Sequence, residues 1–176
     1  MFKDRIFFDL FSIPASFQVN LTALADQYRE LQAQVHPDRV AGGSEQEKLQ
    51  AIQATSFLNE AYETLRSPQR RAAYLLELQD IDVNQVDQSD LSPGLLMEQI
   101  ELREQLEELP RDESALGQLE QLRESIEQRQ LDCQNQFAQT IEKRDLSAAK
   151  RHYYEMQYFA KLAAEIESLE EDLLGY

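Results

Sequence analysis

The tightest constraint on what this chain can fold into is one proline set between two runs of helical periodicity. Before it, Leu21, Leu24, Tyr28, Leu31 and Val35 recur at three- and four-residue steps, which places them on one face of a helix over 21–35. Pro37 disfavours the α conformation at His36, so that helix stops there. After the loop Arg39 to Gly43 comes Ser44-Glu45-Gln46-Glu47, a capping box in which the Ser44 hydroxyl and the Glu47 carboxylate each take a backbone N–H. A third helix over about 45–66 follows, with Leu49, Ile52, Ala54, Phe57, Leu58, Ala61 and Leu65 as its apolar positions. The product is a helical hairpin. Its turn presents the imidazole of His36 and the carboxylate of Asp38, held apart by the Pro37 ring.

Elements on either side complete a small core. Asp4 to Phe11 reads as a first helix burying Ile6, Phe7, Leu10 and Phe11, ended by Ile13-Pro14, with Phe17 and Val19 packing in the connection. Phe7, Phe11, Tyr28, Phe57 and Tyr62 supply the bulky filling, and Pro68 opens a brief fourth helix ending near Leu78. The tripeptide His36-Pro37-Asp38 alone is a weak signal. Taken with Phe57-Leu58-Asn59-Glu60-Ala61-Tyr62-Glu63-Thr64-Leu65 and Ser67-Pro68-Gln69-Arg70-Arg71-Ala72-Ala73-Tyr74, it resembles a J-domain, the module by which co-chaperones activate DnaK-class chaperones. The resemblance covers roughly the first 75 residues. It implies that His36, Pro37 and Asp38 trigger ATP hydrolysis in a partner without chemistry here, with Arg39 and Arg29 as further chaperone-binding residues. Asp38 is suited to a charge-assisted pair with an arginine. Two positions depart from the usual pattern. Arg39 stands where lysine is commoner, and Arg29 is the one cation of the second helix, which weakens electrostatic steering.

Charge separates the two halves. Residues 1–78 carry 8 Lys and Arg against 10 Asp and Glu, and residues 79–176 carry 9 against 23, so most of the net −16 lies in the second part. Such an acidic half repels phosphate backbones and anionic lipid, which argues against nucleic acid and membrane partners and for a protein. Cys133 is the only cysteine, so no intrachain disulfide forms, in keeping with a reducing compartment. Asp4 and Asp9 interrupt the basic start at Lys3 and Arg5, and no apolar run is long enough for a signal or a span, so a soluble, cytoplasmic protein is expected. An enzyme is the weakest reading. The two histidines and lone thiol converge with no nucleophile, base and anion site, and His36 with Asp38 supplies too few ligands for a metal. No cofactor is implied.

The second part reads as a connecting segment, 79–93, and an antiparallel three-helix bundle, 94–176. The connector holds Ile81, Val83, Val86 and Leu91 among polar residues, enough to dock it and fix the relation of the two parts. Ser92-Pro93 starts a helix that runs to Leu109 and stops at Pro110. Asp112 and Glu113 open a longer one to about Arg144, with Leu116, Leu119, Leu122, Ile126, Cys133, Phe137 and Ile141 inward. Asp145 caps a third, through Tyr153, Met156, Ala160, Ala163 and Ile166 to Leu173. In the first of these helices Leu95, Leu102, Leu106 and Leu109 form one stripe, while Leu96, Met97 and Ile100 fall on the other side, continued by Glu101, Glu104 and Glu108. Periodicity leaves two readings of that surplus side open. It is a docking patch for a protein with basic residues around an apolar centre, or it packs on the third helix or the J-like part.

A second resemblance bears on the choice. Leu95-Leu96-Met97-Glu98-Gln99-Ile100-Glu101-Leu102-Arg103-Glu104-Gln105-Leu106 is similar to the corresponding helix of the HscB family, J-domain co-chaperones of bacterial iron–sulfur cluster assembly, and length and acidic bundle match as well. The resemblance implies that Leu96, Met97, Ile100, Glu101, Glu104 and Glu108, with Tyr158 on the last helix, hold the cluster scaffold IscU, and that the J-domain delivers it to the chaperone HscA. Ile100, commonly leucine, is a mild departure. Beside Tyr153, Tyr154 and Phe159, Tyr158 also fits an ordinary packed aromatic cluster. One cysteine cannot ligate a cluster, so any service to cluster assembly consists in holding a carrier. The fold expected is all-α, J-domain then bundle. The function expected is co-chaperone. The rivals are a J-domain co-chaperone for a different client and a purely structural helical bundle.

Overall fold

The computed structural model describes residues 7–84 and 91–175, and the expected Ile6 and Val86 contacts lie outside them. The chain divides into two compact units, Met1–Gln79 and Asp80–Tyr176. Among the described residues there is no strand, and no helix is long and apolar enough to cross a membrane.

In the first unit α1 spans Phe7–Leu10, α2 Leu21–Val35, α3 Glu45–Arg66 and α4 Pro68–Glu77, with a 3-10 turn at Pro37–Val40. Each longer helix starts where a short polar side chain takes an orphan N–H: Asn20 that of Ala23, Ser44 that of Glu47, Ser67 that of Arg70. The capping box at Ser44 is complete, Glu47 Oε2 accepting from the Ser44 N–H at 2.7 Å. α2 and α3 run antiparallel. The rings of Tyr28 and Tyr62 stack 4.1 Å apart, and Tyr28 donates to Asn59 at 2.8 Å. Further on, the Thr55 hydroxyl donates to the Val35 carbonyl at 3.1 Å. Phe8, Phe11, Phe17, Leu24, Leu58, Ala61, Leu65 and Leu76 form the core.

Four expected core residues lie elsewhere. Phe8 takes the buried place on α1, while Phe7 is half-buried against Phe57 and Tyr74. Leu21, Leu49 and Ile52 are exposed. α2 ends opposite Thr55, so the first turns of α3 project past it. Leu49 and Ile52 also sit across that helix from the Leu58, Ala61 and Leu65 stripe, at 100° per residue.

In the second unit α5 spans Pro93–Glu107, α6 Leu116–Glu142 and α7 Leu146–Leu174. α5 stops two residues short of Leu109. Asp112 caps not α6 itself but a 3-10 turn, Glu113–Ala115, that feeds it. Asp145 caps α7 through the Ala148 N–H. Arg123 pairs with Glu170 and Cys133 with Glu155, while Glu98 pairs with Arg129 and Leu106 lies near Leu119, so α6 runs antiparallel to both neighbours. Leu95, Leu102, Leu106, Leu119, Leu122, Ile126, Phe137, Phe159, Leu162 and Ile166 fill the interior.

Candidate functional site

The interhelical turn is built by satisfying the end of α2. Of the carbonyls left without intrahelical partners there, Val35 accepts from Thr55 and Ala33 accepts from Arg39 Nη1 at 3.1 Å. His36, with φ −59° and ψ 131°, caps the 3-10 turn that Pro37 opens. The imidazole is therefore not held apart from the carboxylate, as the proline suggested. Its Nδ1 accepts the Asp38 N–H at 3.3 Å and lies 3.5 Å from Asp38 Oδ2. The reason is local: Pro37 is the first residue of a tight turn, which brings residue 38 under the capping ring. In the neutral ring that acceptor role leaves the proton on Nε2.

His36 Nε2 and the Asp38 carboxylate stay open to a partner, with side chains 50% and 91% exposed. Beside them lies an open cleft of about 820 Å³ lined by Val35, His36, Arg39, Val40, Ala51 and Phe57, among others. Arg29 is exposed and paired with Asp26 on its own helix, which offsets part of its charge. Arg39, expected as a chaperone-binding residue, also staples the turn to α2.

The second candidate surface is on α5. Leu95, Leu102 and Leu106 are buried, whereas Leu96, Met97 and Ile100 are 42%, 58% and 52% exposed, with Glu101, Glu104 and Glu108 exposed around them. Tyr158 is half-buried at the seam with α5, its hydroxyl donating to the Gln99 carbonyl at 3.3 Å and its ring edge-on to Phe159. Burial raises its pKa, with Arg103 acting the other way. The structure thus brings Tyr158 beside Gln99, on the flank of α5 between its buried and exposed sides.

Sequence reasoning missed a polar network behind that surface. Arg129 donates from Nε and Nη2 to both carboxylate oxygens of Glu98, at 2.6 and 2.8 Å, and its guanidinium lies 5.0 Å from the centre of the Phe159 ring. Arg103 grips Glu165 in the same unit at 2.6 Å. Deeper, Glu155 Oε2 accepts from the Cys133 thiol at 3.5 Å and lies 3.1 Å from His152 Nδ1. Burial works against charge on Glu155, but His152, Cys133 and Arg129 together outweigh it and hold the carboxyl below its ordinary range. Burial first, then the Glu155 charge, pushes the Cys133 thiol up to about 12. The one available signal was scarcity: in so acidic a half, arginines at 103 and 129 have ready partners. Among the described residues no three His, Cys, Asp or Glu side chains gather to hold a metal ion.

Residues 7–74 match the DnaJ domain, and residues 91–167 match the family described as HSCB C-terminal oligomerisation domain. The chain is 38% identical to the co-chaperone protein HscB homolog of Shewanella amazonensis, over 96% of this chain and 98% of that protein. Among solved structures, chaperone HscB from Vibrio cholerae superposes with a TM-score of 0.85 at 34% identity, covering 96% of this chain and 99% of that one. Human co-chaperone protein HscB gives 0.87 at 27% identity, covering 96% and 83%.

Proposed function

The chain belongs to the HscB family of J-domain co-chaperones, and from that premise we propose that it is an adaptor in iron–sulfur cluster assembly. One end engages a dedicated DnaK-like chaperone, HscA, and stimulates its ATP hydrolysis. The other holds the cluster scaffold IscU. It acts in the cytoplasm and makes no bonds itself.

The observation that carries the reading is the exposure of Leu96, Met97 and Ile100 on α5 while Leu95, Leu102 and Leu106 of the same helix are buried. A bundle helix needs one apolar side, and a second one left in water and continued by the exposed carboxylates of Glu101, Glu104 and Glu108 suits a partner with an apolar centre flanked by basic residues. At the turn, His36, Pro37, Asp38 and Arg39 are already ordered by hydrogen bonds, so little freedom is lost when a chaperone docks. Asp38 supplies the exposed carboxylate for an arginine. Carrying cargo and trigger on one chain raises the effective concentration of scaffold at the chaperone.

A titration of chaperone ATPase rate against this protein, with and without scaffold, tests both ends. His36→Gln should abolish stimulation while fold and scaffold affinity remain. Leu96→Ala with Ile100→Ala should weaken scaffold binding and leave stimulation without scaffold unchanged. Stimulation surviving the first change would remove the role assigned to the turn. Lost helicity in the second would mark those residues as core.

A further inference from the structure

α5 has a problem of orientation that apolar burial does not solve. It carries three large apolar side chains on each of two sides, Leu95, Leu102 and Leu106 inward and Leu96, Met97 and Ile100 outward. The two triplets centre roughly 150° apart on a helix of 3.6 residues per turn. Hydrophobic burial is non-directional and follows area, so it discriminates weakly between two sides of similar size. Glu101, Glu104 and Glu108 on the exposed side disfavour full inversion, but they leave smaller rotations open.

Polar clamps sit on both flanks of the buried triplet. On one flank Glu98 receives the guanidinium fork of Arg129 from α6. On the other, Gln99 accepts from Tyr158 of α7 and Arg103 grips Glu165 of the same helix. The pair Arg103–Glu165 is more exposed, at 47% and 42%, than Arg129–Glu98 at 33% and 31%, and exposed pairs are the weaker restraint. Arg129 is itself pinned. Its guanidinium lies against Phe159 of α7, and Glu155 adds a second negative charge nearby. A bidentate pair fixes distance and direction together. Such pairs seldom add much net stability over hydrocarbon, but they can select one arrangement among several.

We propose that Arg129 is a positioning residue which, through Glu98, sets the rotation of α5 about its own axis and so how squarely Leu96, Met97 and Ile100 face a partner. The proposal rests on reading Leu96, Met97 and Ile100 as the scaffold-binding strip, but the rotation can be measured with no scaffold present.

The test uses the full chain with a single reporter thiol on one flank of α5, Leu96→Cys, or on the other, Glu101→Cys, both positions being exposed and Cys133 buried and slow to react. Alkylation rates by a maleimide under native conditions are compared with and without Arg129→Gln. Leu96 and Glu101 lie on opposite flanks of α5, about 100° and 120° from the centre of the buried triplet, so rotation in either direction slows labelling at one and speeds it at the other, whereas general loosening speeds both. Opposite changes are expected, with Arg129→Lys between the extremes, and scaffold affinity should fall about tenfold. Glu98→Gln should match Arg129→Gln, and the double variant should be no worse than either. Unchanged rates, parallel acceleration at both reporters, or additive effects in the double variant each overturn the proposal. Opposite rate changes in a chain that binds no scaffold would uphold the rotation and refute the partner.

Discussion

Thr55 and Arg39 show how much a turn depends on who answers the last carbonyls of the preceding helix. Replacing Thr55 by valine keeps the volume and removes the donor to Val35. The expected loss is about 1 kcal/mol of stability, with a higher half-maximal concentration and an unchanged plateau in the chaperone ATPase titration. Tripeptide and cap were legible in the sequence because both are local signals. The fold of the imidazole onto Asp38 was not, since proline's effect depends on whether the next residues extend or turn. Deeper in the second unit, Glu155 makes a different prediction. Its carboxyl titrates below its ordinary value of 4.5 in the folded protein, so the charged form favours folding. That contribution is present above the ordinary value and is lost as pH falls through the lower, folded one. Melting temperature measured from neutral to acid pH should therefore drop less steeply for Glu155→Gln than for the parent chain.

Whole elements were read most accurately where a side chain caps its own helix. Ser44, Ser92 and Asp145, read as caps, each take an N–H three residues on, a geometry that needs no tertiary information. Asn20 and Ser67 do the same at helix starts read only from periodicity and Pro68. Which side of a helix is buried was harder to read. Leu49 and Ile52 fall across α3 from the Leu58, Ala61 and Leu65 stripe, which strict periodicity could have shown, and they lie past the end of α2, which only the length of the neighbouring helix shows. Leu58→Ala should accordingly lose about 2–5 kcal/mol in denaturant unfolding, from lost burial and the cavity left, whereas Leu49→Ala should change little. The end of α6 gives a prediction of the opposite sign. Arg144 is left-handed at φ 57°, and Asp145 returns its N–H to the Thr140 carbonyl at 2.9 Å. Glycine suits that position, so Arg144→Gly should stabilise the chain by roughly 0.5–1 kcal/mol, read as a higher melting temperature.

At the scale of the molecule, the adaptor reading requires both surfaces on one chain. Mixing His36→Gln protein with Leu96→Ala/Ile100→Ala protein should not restore scaffold-dependent stimulation, because cargo and trigger then ride on different chains and the gain in local concentration disappears. Recovery in the mixture would mean that the two ends act independently. The exposed strip on α5 was legible as a surplus apolar side. The pairing of Glu98 with Arg129, 31 residues apart in the chain, was not, because charge patterning along one helix says nothing about a partner on the next. Cys133 has a consequence of another kind. Thiolates are what capture soft metals and attack disulfides, and this sulfur stays protonated to about 12 and out of contact with solvent. In the proposed role, the chain's one thiol therefore brings no competing thiolate to an iron–sulfur cargo.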